Sequence, residues 1–238
     1  MATSGCFVRR IALVATALCT LGVPGAMARS FHQTRPFIVD PSPFFDLRPI
    51  EDQLEIVERE HDLLAIDAWS GSVSIVDLRL EEEVLWTGVR GRVALAITDR
   101  RLLAAVPGSG GWRERELGVF ESSPVRVVLG DRVALLATDR RVLAFEGLSG
   151  SWSESALGPR EQVLLAGAGT NVAVAVTRTR VLGVAAARGG LFEAELGIRE
   201  EAQALRVHGS FATVTTRLRI LTFRAPDGSW QSTELPFR

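Results

Sequence analysis

Residues 92–118 read RVALAITDRRLLAAVPGSGGWRERELG, and residues 132–158 read RVALLATDRRVLAFEGLSGSWSESALG. The pattern returns at 171–197 (NVAVAVTRTRVLGVAAARGGLFEAELG) and at 210–235 (SFATVTTRLRILTFRAPDGSWQSTEL). Each copy carries an apolar run, a polar tetrad, a second apolar run, a small-residue cluster and a final amphipathic stretch. Thr98, Thr138, Thr177 and Thr216 align at spacings of 40, 39 and 39 residues. A weaker copy at 62–78, DLLAIDAWSGSVSIVDL, precedes them. Its equivalent of Thr98 is Ala68, only 30 residues earlier, so about ten residues, one strand's worth, are missing there.

The units read as β-structure. Val93 to Thr98 and Val133 to Thr138 are nearly continuous apolar runs of strand length, as expected of strands covered on both faces. The Thr-Asp-Arg-Arg tetrads at 98–101 and 138–141 are turn signals, as are the Gly/Ser/Pro clusters at 107–111, 147–151 and 225–229. Trp112, Trp152, Leu191 and Trp230 open the strand that follows each cluster. A further short strand is expected at 125–129, 162–167 and 203–207. The unit thus has four strands in about forty residues. Small residues at Ala104, Ala144, Gly183 and Thr222 mark where neighbouring sheets approach closely.

Four-stranded units of this period resemble the blades of β-propellers, over about residues 54–235. Leu-Ala-Ile-Asp-Ala-x-Ser-Gly at 64–71 is similar to the alanine/glycine segment of quinoprotein repeats, and Asp227-Gly228-Ser229-Trp230 looks like a shortened sialidase Asp-box. The Trp-Asp and Gly-His pairs of WD40 repeats are absent, so the resemblance reaches the superfamily and no family within it. It implies an all-β propeller of about five blades over residues 51–238, with the first blade incomplete. Residues 29–50 are rich in Pro and Phe and have no repeat counterpart. They are expected to supply the missing strand of the first blade or to cover the seam where a ring closes. The alternative is an open array completed by a partner or a second copy, which would make self-association possible.

The amino terminus reads as an export signal. Arg9 and Arg10 precede an apolar stretch from Ile11 to Val23, and Ala26-Met27-Ala28 follows as a small-x-small cleavage site. Residues 1–28 are therefore expected to be removed after Ala28, giving a periplasmic or secreted protein. The apolar stretch is too short for a spanning helix, and no transmembrane segment is expected. Both cysteines, Cys6 and Cys19, leave with the signal, so the mature chain has no disulfide, thiolate metal site or cysteine nucleophile. Losing Arg9 and Arg10 takes the formal net charge from −1 to −3, which gives no global attraction to nucleic acid or anionic membrane.

Composition narrows the chemistry. All 27 basic residues are arginine, so there is no Schiff-base or P-loop lysine. There is no tyrosine, which closes the sialidase mechanism. His32, His61 and His208 share no spacing with carboxylates, and neither a metal site nor a cofactor is expected.

Two candidate sites remain. Arg101, Arg141, Arg180 and Arg219 occupy one turn position in four successive units, and together could hold a carboxylate or phosphate through bidentate hydrogen bonds. Against this, fifteen residues on lie Glu116, Ala156, Glu195 and Glu234, placed opposite the arginines across antiparallel strands and able to pair with three of them. Ala156 would then leave Arg141 the freest for a ligand. Trp112, Trp152 and Trp230 could stack sugars along the rim, or could plug the joints between blades. The function expected is an exported, non-enzymatic binding module or scaffold for a protein or glycan. The alternative is a hydrolase or lyase with an acid/base site on one face.

Overall fold

The computed structural model describes the backbone of Phe37 and Ile38, and residues 51–122, 124 and 126–236. The expected signal segment and most of the Pro/Phe-rich segment, with His32, lie outside the described residues. All regular structure among the described residues is strand. β1 is the two-residue strand Phe37–Ile38. The first sheet is β2 (Leu54–Glu58), β3 (Asp62–Asp67) and β4 (Val73–Asp77). The second is β5 (Val84–Arg90), β6 (Val93–Thr98), β7 (Arg101–Ala105) and β8 (Arg113–Glu116). The third is β9 (Arg126–Leu129), β10 (Val133–Ala137), β11 (Arg141–Glu146) and β12 (Ser151–Ala156). The fourth is β13 (Leu165–Ala168), β14 (Val172–Val176), β15 (Arg180–Ala185) and β16 (Leu191–Glu195). The fifth is β17 (Ala202–Val207), β18 (Phe211–Thr216), β19 (Arg219–Arg224) and β20 (Ser229–Glu234). Each sheet is an antiparallel meander in chain order. This is a five-bladed β-propeller array whose first blade lacks the innermost strand, since Asp77 ends its last strand as Glu116, Ala156 and Glu195 end theirs.

The sheets stack face to face, and this explains the sequence pattern. β6, β10 and β14 are buried at every position because both of their faces meet a neighbour. Val93, Leu95 and Ile97 of the second sheet pack on Ala134, Leu136, Leu143 and Phe145 of the third. Val172, Val174 and Val176 of the fourth pack on Ala212, Val214 and Phe223 of the fifth. The small residues sit at the closest approach. A Cβ on Gly183 would lie 2.9 Å from the Phe223 ring. At one end of the array, backbone hydrogen bonds lock each joint in turn. Gln53 N donates to Gly91 O (2.8 Å), Arg92 N to Asp131 O (2.7 Å), Arg132 N to Thr170 O (3.0 Å) and Asn171 N to Gly209 O (2.6 Å).

The series stops there. Among the described residues, the fifth and first sheets share no hydrophobic cluster and no hydrogen bond. Burial along β3 and β18 alternates instead of being continuous.

Two expectations are corrected. β1 does not complete the first sheet. It pairs in parallel with β9, Phe37 opposite Arg126 and Ile38 opposite Val127, because an innermost strand offers a free hydrogen-bonding edge. The short strand expected at 162–167 runs from Leu165 to Ala168, after a turn at 158–161 closed by Glu161 N donating to Gly158 O.

Candidate functional site

The four repeated arginines lie where expected, at the turn between the second and third strands of sheets two to five. The expected register is also present: Arg101 opposes Glu116, Arg141 opposes Ala156, Arg180 opposes Glu195 and Arg219 opposes Glu234. Their partners, however, are different residues. Each guanidinium is held by a glutamate from the loop that enters its sheet. Arg101 Nε and Nη2 donate to the two oxygens of Glu82, both at 2.8 Å. Arg141 grips Glu121 in the same way (2.9 and 2.8 Å), Arg180 grips Glu161 (2.9 and 3.0 Å) and Arg219 grips Glu200 (2.8 Å twice).

The aligned threonines complete the device. Thr98, Thr138, Thr177 and Thr216 donate their hydroxyls to Glu82, Glu121, Glu161 and Glu200 at 2.7–2.9 Å. The same oxygens accept the backbone N–H of Arg101, Arg141, Arg180 and Arg219, closing the tight turn. A fourth donor reaches each carboxylate from the residue three positions earlier: the amides of Arg79, Gly118, Gly158 and Gly197. Finally, Nη2 of each arginine donates to a backbone carbonyl at the outer edge of the preceding sheet, of Asp77, Glu116, Ala156 and Glu195 respectively. The cluster is thus a clasp between adjacent sheets.

Electrostatics follow this geometry. Burial pushes the Glu161 carboxyl up, but Arg180, the Gly158 amide and Thr177 outweigh it and hold it at about 2. Arg219 leads the same effect at Glu200, also at about 2 against the opposing push of burial. Glu82 and Glu121 lie below the ordinary carboxylate range, where burial is again outweighed by the bonds from Arg101 and Arg141. All four are bound carboxylates at neutral pH, unsuited to donating a proton.

The pairing expected across the strands is displaced by two residues. Arg101, Arg141 and Arg180 reach the diagonal Glu114, Glu154 and Glu193 at 2.7–2.8 Å. Glu116 goes instead to Arg79. The diagonal is preferred because the loop glutamate already holds Nε and Nη2, leaving Nη1 to face that neighbour. Arg141 is therefore not the freest arginine. That position falls to Arg219, since Ser232 replaces the diagonal glutamate and Nη1 has no hydrogen bond among the described residues.

The tryptophans sit in the joints. Trp112, Trp152 and Trp230 donate their indole N–H to Ser74 O, Arg113 O and Phe192 O of the preceding sheet, at 3.2, 3.2 and 2.9 Å. Trp152 also packs on Phe145 and Trp230 on Phe223, with ring centroids 4.9 and 5.0 Å apart. His61 and His208 lie on first-to-second-strand turns; His208 stacks on Phe211 at 4.4 Å.

The residues missed by sequence reasoning are the loop glutamates. Their signal was present: Leu-Gly-x-x-Glu recurs at 117–121, 157–161 and 196–200, where one unit ends and the loop to the next sheet begins. The same loops carry a second feature. Two residues before each glutamate stand Leu80, Val119, Pro159 and Ile198, all exposed. Leu80, Val119 and neighbouring Phe120 are 87, 94 and 85% exposed, and Ile198 is fully so. Around Pro159, a cleft of about 790 Å³ lies between the third sheet and the loop that leaves it, lined by Arg126, Arg140 and Arg160 together with Asp139 and Glu161. Arg141 is not among its lining residues.

No family model and no curated protein matches the chain. Among solved structures it is similar to yeast RCC1 (Prp20) bound to Kap60, with a TM-score of 0.35 and 8% identity over 73% of this chain and 54% of that one. Prp20p of Saccharomyces cerevisiae, described with its binding to Gsp1p and histones, gives 0.37 and 9% over 73% and 55%. PorZ, a surface component of the type-IX secretion system of Porphyromonas gingivalis, gives 0.37 and 12% over 78% and 27%. The chain spans about half the length of the RCC1 chains it matches and about a quarter of PorZ.

Proposed function

We propose that this chain is an exported, non-enzymatic binding module that presents the Leu-Gly-x-x-Glu loop face to a protein partner. The observation that carries this reading is the set of exposed apolar side chains Leu80, Val119 and Ile198, at one register in three of the four loops, with Phe120 beside Val119. Side chains of this kind gain ~1.5–3 kcal/mol each when covered. Exposed apolar groups gathered on a rigid face suit protein docking better than sugar binding. The carboxylates nearby are consumed by the clasps, which leaves that face without a free acid/base pair of the repeated kind. Export rests on the signal-like residues 1–28, and a periplasmic or secreted location follows from it.

The test is capture from an envelope extract by the intact protein and by a variant with Leu80, Val119, Phe120 and Ile198 all changed to Asp. A partner retained by the first and lost by the second, at unchanged melting temperature, supports the reading. Equal capture by both, or selective glycan-array binding that the variant keeps, overturns it. Turnover of a generic glycoside or ester that one acidic-residue substitution abolishes would establish the hydrolase or lyase alternative.

A further inference from the structure

The cleft around Pro159 carries charge that the clasps do not account for. Arg126, Arg140 and Arg160 line it, with Asp139 and Glu161 as its carboxylates. Both carboxylates are already claimed. Glu161 accepts from Arg180, from the Thr177 hydroxyl and from the Gly158 amide. Asp139 accepts the N–H and the hydroxyl of Ser122 at 3.1 and 3.0 Å, and lies 3.7 Å from Arg140 Nε. Setting Glu161 against Arg180 and Asp139 against Arg140 leaves two positive charges, on Arg126 and Arg160. Their guanidinium groups have neither a hydrogen bond nor an ion pair among the described residues. The repeat gives no packing reason for Arg126. It stands at the register position filled by Trp86, Leu165 and Ala204 in the innermost strands of the second, fourth and fifth sheets.

We propose that this cleft takes an acidic peptide segment of the protein partner, with one carboxylate on Arg126 and another on Arg160. This deepens the docking role proposed above for the loop face and rests on it: Pro159 stands in the loop register of Val119 and Ile198, so the cleft belongs to that face. A planar guanidinium sets two N–H groups against the two oxygens of a carboxylate, and like charges sharing one cleft repel until an anion lies between them. A volume of about 790 Å³ exceeds what a bare ion needs and falls in the range of clefts that enclose a larger ligand. Leu157, Pro159 and Val163 add apolar lining, which rewards aliphatic side chains between the acidic ones and gives an inorganic anion nothing. The formal net charge of the whole chain is −1, so the attraction for an acidic segment is local to the cleft and would fix where that segment lies.

The test is fluorescence anisotropy of a fluorescein-labelled peptide of alternating glutamate and leucine, titrated with the full chain at low salt. Saturable binding is expected, weakening as salt rises. Arg126→Gln and Arg160→Gln are each expected to weaken it about tenfold at unchanged melting temperature. Arg199→Gln, at the same loop position as Arg160 but outside the cleft lining, is expected to leave it unchanged. No binding overturns the proposal, as does a loss that Arg199→Gln reproduces or equal binding of the peptide with glutamine in place of glutamate. Displacement by inorganic phosphate at the peptide's own concentration also overturns it, marking a small-anion site. In the extract capture, the Arg126→Gln/Arg160→Gln double variant is expected to retain less partner than the wild type. Capture that this double variant keeps, and that the variant at Leu80, Val119, Phe120 and Ile198 loses, overturns the cleft and leaves the docking face standing. Peptide binding that depends on both arginines, with no partner captured by any form, supports the cleft and tells against the docking face alone.

Discussion

The third sheet and the first sheet are built from the same repeat, yet they use it differently. In the third, β10 is buried at every position, and Phe145 is fully enclosed between Trp152 and the second sheet. In the first, β3, the counterpart of β11, is buried only at alternate positions, and Ile66, the counterpart of Phe145, is half-buried. The backbone pairing is alike; what differs is whether a neighbour exists. Stability in such an array belongs to the joints as much as to the sheets, as in other repeat proteins where each unit contacts only its neighbours.

The largest test of this contrast is Phe145→Ala against Ile66→Ala. Loss of the enclosed ring is expected to cost ~3–5 kcal/mol in chemical denaturation, and loss of the half-buried isoleucine about 1 kcal/mol. Comparable losses would mean that the first sheet's outer face is covered. The clasps give a second comparison. The Arg101 and Glu82 side chains are 4 and 0% exposed, so Arg101→Ala strands a buried carboxylate and is expected to cost ~3–5 kcal/mol. Arg219 is more exposed and lacks the diagonal glutamate, so Arg219→Ala is expected to cost about half as much. A third pair, Gly183→Ala against Thr222→Ala, compares a position packed on the next sheet with the same position on the last sheet. The first pushes a methyl into the Phe223 ring and is expected to cost ~1–3 kcal/mol, whereas the second is expected to be near neutral in the dilute protein.

The gentlest probe is acid. Glu161 and Glu200 hold folded-state values of about 2, below the ~4.3 of an unfolded glutamate, and Glu82 and Glu121 are shifted the same way. A depressed carboxyl stabilises the fold above its unfolded value and releases that stability as pH falls toward its folded value. The melting temperature should therefore be flat from neutrality to about pH 5 and fall steadily between about 4.5 and 2. Arg101→Ala should flatten part of that fall, and an unchanged acid limb would show that the clasp is not its source.

Much of the fold was legible because burial on both faces writes itself as an unbroken apolar run, as in Val93 to Ile97. That one strand of the first sheet is missing was legible, but the shortened spacing is not its cause: Gln53 and Asp77 keep the period with Arg92 and Glu116, and the strand that is lacking is the innermost. The cross-strand register was legible too, since a turn of fixed length sets it. The partner of each arginine was not. It enters from the loop before its sheet, nineteen to twenty residues upstream, and a register argument looks only across paired strands. The half-exposed ends were not legible as such: Thr213 and Thr215 stand where Val174 and Val176 stand one sheet earlier, and only the structure shows that their face has no packed neighbour among the described residues.

The clasp has a direction. In every instance the glutamate and the receiving carbonyl come earlier in the chain than the threonine and arginine that close on them. A ribosome delivering this chain would always release the fixed half before the moving half. Each new sheet could then fasten, as it emerged, to one already finished, without waiting for the carboxyl terminus. A chain stopped after any complete unit would carry only closed clasps. Shortening it by whole units should therefore leave a shorter folded object, whereas a cut inside a unit should leave an unmatched glutamate behind.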